Sequence, residues 1–328
     1  MSPLRTGILL TNTGTPDAPT PLAVYRYLRE FLLDKRVIRI PRAIWWPLLH
    51  GVILPRRCFY AANLYQKVWT PEGSPMRVWM YQIAEALQNF FQEQQLPFVT
   101  AVGMHYGQPS IRAGLEQLRA QQVEKIIALP LFPQYSSTTT ATSFDKVAAA
   151  LSIWPALPEV RFINQYADHP AYIEALCERL RHSWEKNGRA PHLLFSFHGI
   201  PEMYVTNGDP YPIACKKTAE SVAAKLKLPP HSWSIAFQSR FGYARWLSPY
   251  TNEVLQELPK RGIEAIDIIC AGFAVDCLET LEEIAIRSKA QFLAAGGQSL
   301  RYIPALNADK GHIQALADII FSGIHPTP

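Results

Sequence analysis

One of the nine histidines has a setting unlike the rest. His198 closes the apolar run Leu193-Leu-Phe-Ser-Phe and is followed by Gly199 and Pro201, so a strand delivers an imidazole to its own open end. Imidazole titrates near neutral pH and can take up a proton or bind a metal, which suits proton abstraction in a pocket. A hydrogen-bonded, inert histidine is the plainer alternative. A second element follows Ile266-Asp-Ile-Ile-Cys270-Ala-Gly-Phe273, where Asp276, Glu279 and Glu283 open a helical stretch. At about 100° per residue these acids share one narrow stripe, with Leu278, Leu281 and Ala285 opposite. Stacked carboxylates can pass protons or a hard cation between oxygen ligands. The competing reading is a solvated face with Glu283 paired to Arg287 at i+4. Used together, the imidazole and the acids suit a reaction that removes protons and handles a divalent metal.

Other strand ends carry weaker signals. Asn12-Thr13-Gly14-Thr15-Pro16 is a small polar turn that can approach an anion or flat ligand, or simply turn; it lacks GxGxxG spacing. Leu129-Pro-Leu-Phe-Pro-Gln-Tyr135 runs into the hydroxyl series from Ser136 to Ser143, more than a helix cap needs. Phe237, Phe241, Tyr243, Trp246 and Tyr250 surround Gln238-Ser-Arg240 and could wall a planar ring, or be core. Asn207-Gly-Asp-Pro-Tyr-Pro212 reads as a long rigid loop.

Positioning these ends requires parallel strands buried on both faces, which read as short apolar runs between amphipathic stretches. Strands are predicted at 7–12, 98–104, 125–131, 160–163, 192–197, 232–238, 263–269 and 300–303, and helices at 22–33, 77–95, 144–154, 171–185, 278–289 and 312–321. The fold class is α/β: two mostly parallel sheets flanked by helices, in domains 1–160 and 161–328, the final helix packing back on the first domain. With 48% apolar and 18% charged residues, 328 residues support this much core and exclude a disordered chain. The dispersed +5 charge argues against nucleic acid as a partner. Five cysteines without a CxxC pair favour a reducing, cytoplasmic setting and no disulfide framework. A strand-like run by Thr6 leaves no room for a secretory leader.

The chain resembles the ferrochelatase family in its γ-proteobacterial form, nearly end to end. The likeness is carried by residues 7–20, 45–55 and 73–75, Pro130-Leu-Phe-Pro-Gln-Tyr135, Ser196-Phe-His-Gly-Ile-Pro201, Gly208-Asp-Pro-Tyr-Pro212, Phe237-Gln-Ser-Arg-Phe-Gly242, Trp246-Leu-Ser-Pro-Tyr-Thr251 and 276–284. The resemblance implies two Rossmann-like domains with the active-site cleft between them, and insertion of Fe2+ into protoporphyrin IX with release of two protons. It places the family's invariant histidine on His198 and its paired glutamate on Glu279, with His198 taken as the base. Glu283 would continue an acidic metal path from His198 and Glu279, supported by Asp276. Thr13, Tyr135, Ser136 and Trp246 would contact the porphyrin. Ser137 and a cysteine-free C-terminus stand where cluster-bearing relatives have cysteines, so no [2Fe–2S] cluster and no permanently bound cofactor are expected. Thr13 replaces the tyrosine of the coproporphyrin branch and favours protoporphyrin IX. His105 occupies a position that often bears Arg or Ser, and its role stays open.

Residues 43–54 are too short and interrupted to span a bilayer. Flanked by Lys35, Arg36, Arg39, Arg42, Arg56 and Arg57 and carrying Trp45 and Trp46, they can rest on a membrane surface or fold as a buried hairpin. By family likeness, 36–57 is the porphyrin lip of a peripheral, monomeric protein. A cobalt or nickel chelatase, or a tetrapyrrole carrier without catalysis, remain alternatives.

Overall fold

The computed structural model describes residues 5–242 and 244–324. It contains two four-stranded, wholly parallel sheets. In chain order, the first sheet and its cover are built from β1 (Thr6–Gly14), α1 (Pro21–Leu32), α2 (Arg42–Leu48), α3 (Leu54–Val68), α4 (Pro75–Glu93), β2 (Phe98–Tyr106), α5 (Ile111–Ala120), β3 (Lys125–Pro130), α6 (Thr140–Leu151) and β4 (Glu159–Phe162). The second comprises α7 (Pro170–Asn187), β5 (His192–His198), α8 (Glu202–Thr206), α9 (Tyr211–Lys225), β6 (Trp233–Gln238), α10 (Thr251–Lys260), β7 (Ala265–Ile269), a π-helix at Glu279–Ser288, α11 (Lys289–Ala294), β8 (Ser299–Ile303) and α12 (Lys310–Ile324).

The strand orders are β2-β1-β3-β4 and β6-β5-β7-β8, so the same topology occurs twice. In each, the chain leaves the first strand to one side and returns on the other. This makes the gap between β1 and β3, and between β5 and β7, the switch point beyond which open α/β sheets place ligands. The strands form because their side chains are buried on both faces: Ile8, Leu9 and Leu10 in β1 and Leu194, Phe195 and Phe197 in β5 are fully enclosed. Leu9, Ile126 and Ala128 pack against Leu115 and Leu118 of α5 and Val147 of α6. In the second sheet Leu194, Ala236, Ile266 and Ile268 pack against Leu255, Leu258, Phe292 and Ile284, which pins the π-helix to the core.

The described residues form two compact units, one of 5–131, 137–164 and 320–324, the other of 132–136, 165–242 and 244–319. α12 therefore begins in the second unit and ends in the first, where Phe321 lies 6.2 Å from the rings of both Phe91 and Phe98. The segment 132–136 joins the second unit through Gln134, whose Nε2 donates to Thr218 Oγ1 and to the Ala271 carbonyl at 2.9 and 3.1 Å.

Several local expectations are corrected. The supposed rigid loop at 207–212 is a short turn between α8 and α9, because Pro210 and Pro212 start a helix rather than interrupt one. Residues 43–54 are not a buried hairpin: α2, a π turn at Leu49–Ile53 and the start of α3 present Ile44, Trp46, Leu48 and Val52 outward. Trp45 turns inward instead and donates its Nε1 to the Leu32 carbonyl at 2.7 Å. Among the described residues no helix is long and apolar enough to cross a membrane.

Candidate functional site

His198 is the last residue of β5 and is only partly buried, whereas every other residue of that strand is enclosed. Its Nδ1 lies 2.6 Å from the Gly199 carbonyl oxygen. A carbonyl can only accept, so Nδ1 carries the proton and Nε2 is left as the lone-pair nitrogen. The neighbouring backbone therefore sets the tautomer a base requires. Rings of Trp246 and Phe273 flank the imidazole at 6.4 and 6.3 Å.

Glu279 enters from across the switch point. After β7 the chain turns through Cys270–Val275 and begins the π-helix, whose first residue is Glu279. A helix with i→i+5 bonding is rare over ten residues and frequent at functional sites. Just before it stands Asp276, a buried carboxylate that accepts from Thr280 Oγ1 at 2.9 Å, Tyr302 OH at 2.6 Å, Asn307 Nδ2 at 2.7 Å and the Ala305 amide at 3.4 Å. Asn307 completes the anchor by accepting from the Asp276 amide at 2.8 Å.

The wider helix also revises the acid stripe. Asp276 does not share it, since its oxygens are spent on the anchor. The enclosed side chains are Thr280, Glu282, Ile284 and Ser288, not Leu278, Leu281 and Ala285. Arg287 pairs with Glu282, five residues back, at 3.1 Å rather than with Glu283. Glu283 is thereby released to a different partner: the Ser239 amide and hydroxyl donate to its two oxygens at 2.8 and 2.6 Å.

Gln238 connects the histidine strand to the glutamate helix. It is the register partner of His198, and its carbonyl accepts from the Gly199 amide at 2.8 Å. Its side-chain Nε2 donates to the Glu279 carbonyl at 2.9 Å, while Oε1 accepts from Ser196 Oγ at 2.7 Å. Sequence reasoning gave Gln238 and Ser239 no role; an amide ending the apolar strand Trp233-Ser-Ile-Ala-Phe was the available signal.

The other predicted residues are placed as follows. Trp246 is buried beside Phe241 at 4.9 Å, and its Nε1 has no hydrogen-bond partner among the described residues. Tyr135 is half-buried. Ser136 is enclosed, and its hydroxyl donates to Asp209 at 3.0 Å. Thr13 stands half-buried at the end of β1, its amide donating to Asn12 Oδ1 at 2.8 Å. Gly14 after it has φ +99°, and a side chain there would collide with the Tyr106 carbonyl. Tyr243, named as part of the aromatic wall, lies outside the described residues. His105 is buried in the first unit, its Nε2 2.5 Å from Ser143 Oγ, which in turn meets Thr11 Oγ1 at 2.9 Å. Burial, then Lys146, pushes its pKa down to about 3, so it is neutral at physiological pH. Among the described residues no three His, Cys, Asp or Glu side chains form a ready metal cage. His198 and Glu279 are tied through Gln238, the register partner of the first and a side-chain donor to the carbonyl of the second, and Glu283 is tied to Ser239 next to it.

Comparison with known proteins agrees with this geometry. The family model described as Ferrochelatase matches residues 5–324. A ferrochelatase of Vibrio atlanticus is 50% identical over 316 residues, covering 96% of this chain and 97% of the relative. One of Nitrosococcus oceani is 48% identical over 316 residues, covering 96% and 86%. Among solved structures, SirB from Bacillus subtilis with Fe3+ matches in fold with a TM-score of 0.57 at 12% identity, covering 98% of this chain and 96% of that one. An imidazole and an acidic helix at one switch point, on a chelatase-type fold and within a family match spanning nearly every residue, lead to one conclusion: this chain belongs to the ferrochelatase family, the metal-chelating lyases of haem biosynthesis.

Proposed function

We propose that His198 and Glu279 carry out the insertion of Fe2+ into protoporphyrin IX, yielding protohaem and two protons. The macrocycle holds two pyrrole N–H groups that must lose their protons before four nitrogens can meet the ion. His198 Nε2 takes a pyrrole proton; the hydrogen bond from Nδ1 to the Gly199 carbonyl supports this assignment, since it leaves Nε2 unprotonated and stabilises the imidazolium that forms. Glu279 and Glu283, on successive turns of the π-helix, hand the ferrous substrate forward.

Trp246, Tyr135 and Thr13 serve as porphyrin contacts, and Ser136 acts indirectly by holding Asp209. The reading needs no iron–sulfur cluster: Ser137 accepts from Arg39 at 3.1 Å where a ligand would be wanted, and the five cysteines are buried singly. Peripheral attachment to the inner face of the membrane is supported by outward Ile44, Trp46, Leu48 and Val52, continued by Phe59 and Tyr60 and bordered by Arg56.

The test is anaerobic insertion of Fe2+, or of Zn2+ as a stable substitute, into protoporphyrin IX by wild type and His198→Ala. Turnover by wild type and its loss, with porphyrin binding kept, in the variant is the expected result. Binding without insertion by wild type would make the chain a carrier, and an active His198→Ala would remove the base.

A further inference from the structure

Glu283 is held by a device that the reaction itself does not require. Ser239 follows the last residue of β6 and has φ +67°, a left-handed conformation that costs a non-glycine residue energy. What that backbone achieves is to aim the Ser239 N–H and Oγ–H at one carboxylate, at 2.8 and 2.6 Å. Next to it, Gln238 is enclosed and its amide is fully used, linking Ser196 of β5, Cys270 after β7 and the Glu279 carbonyl. The end of β6 therefore grips the π-helix twice, at the main chain of its first residue and at the side chain one turn on. Both grips originate on the strand paired with the one that carries His198.

We propose that Ser239 is a positioning residue for Glu283: its two donors hold the carboxylate in the orientation from which it passes the metal ion to Glu279, and the Gln238–Glu279 bond fixes the spacing over which the transfer occurs. This rests on the reading of Glu283 as part of the metal path. Without the hydroxyl, Glu283 would swing on a single amide donor, and metal capture would suffer while the porphyrin contacts, made by other residues, would not.

Ser239→Gly tests the effect, because glycine adopts positive φ freely and keeps the N–H while removing the CH2OH group that carries the second donor. Steady-state insertion of Zn2+ into protoporphyrin IX is measured with each substrate varied, for wild type, Ser239→Gly, Glu283→Gln and the double variant, alongside their melting temperatures. Ser239→Gly is expected to raise KM for Zn2+ roughly tenfold with KM for porphyrin unchanged. In the Glu283→Gln background the same change should add less than about twofold, because the group it acts through is already altered. Equal effects in both backgrounds, a change confined to porphyrin KM, or a lower melting temperature with kinetics intact would each overturn the proposal. A harmful Glu283→Gln with a silent Ser239→Gly removes the clamp alone. A silent Glu283→Gln removes the metal-path reading, and the clamp falls with it.

Discussion

Replacing Asp276 by Asn should cost far more than the loss of one negative charge suggests. The carboxylate is enclosed and every neighbour pointing at it is a donor: Thr280, Tyr302 and the Ala305 amide on Oδ1, and Asn307 Nδ2 on Oδ2. An asparagine with its NH2 towards Asn307 Nδ2 sets two donors against each other; turned the other way, it makes the Thr280 and Tyr302 hydroxyls accept and leaves the Ala305 N–H facing an NH2. Asn307 cannot flip in compensation, because its own Oδ1 already accepts from the residue 276 amide. One charge-assisted bond is lost and a buried donor is stranded, together about 3 kcal/mol. For a unit of this size that corresponds to a drop of roughly 6–12 °C in melting temperature. Tyr302→Phe provides the internal scale: it removes one donor from an oxygen that keeps another and should cost only about 1 kcal/mol. Thermal melts and urea titrations of both variants, with Zn2+ insertion assayed below the transition, measure the contrast. If Asp276→Asn melts within a degree or two of Tyr302→Phe, the anchor is not a set of converging donors. If it melts low but inserts metal normally, the anchor does not position Glu279.

Glu279→Gln should lower turnover by two orders of magnitude or more, about the worth of a general acid–base or charged group, with porphyrin affinity within a few-fold of wild type; fluorescence titration and initial rates separate the two, and equal losses count against the assigned role. Stability should decline in mild acid. Burial holds His105 near a pKa of about 3 and His312 near about 4, against 6.5 in the unfolded chain. Below pH 6.5 the unfolded chain therefore binds protons the native one refuses, and stability present at pH 7 is lost as pH falls towards 4, on the order of 2 kcal/mol for each histidine at pH 5. Melting curves from pH 7.5 to 5 should show this slope, shallower in His105→Gln; an identical slope would exclude His105 as a source. Ile44→Glu with Trp46→Glu should abolish flotation with anionic vesicles, and unchanged flotation would remove the membrane face.

Much of this architecture could be read from the chain because parallel strands announce themselves as apolar runs, and β5 ends where Gly199 follows His198. The π-helix could not. Asp276, Glu279 and Glu283 line up on an α-helix, and nothing in their spacing shows that the turn widens or that Tyr302 and Asn307, far along the chain, gather on Asp276. The same widening moved Arg287 from Glu283 to Glu282. Proline misled by appearing as a loop residue: Pro212 lies in the first turn of α9. Gln238 escaped notice because its importance is a matter of three partners on three elements, none adjacent in sequence.

The most direct measurement is a structure of the chain with protoporphyrin IX bound. The macrocycle should lie with a pyrrole nitrogen within about 3 Å of His198 Nε2, or one water away, and with Glu279 facing the same ring. A porphyrin bound elsewhere, or one whose nitrogens are screened from both side chains, would contradict the assignment.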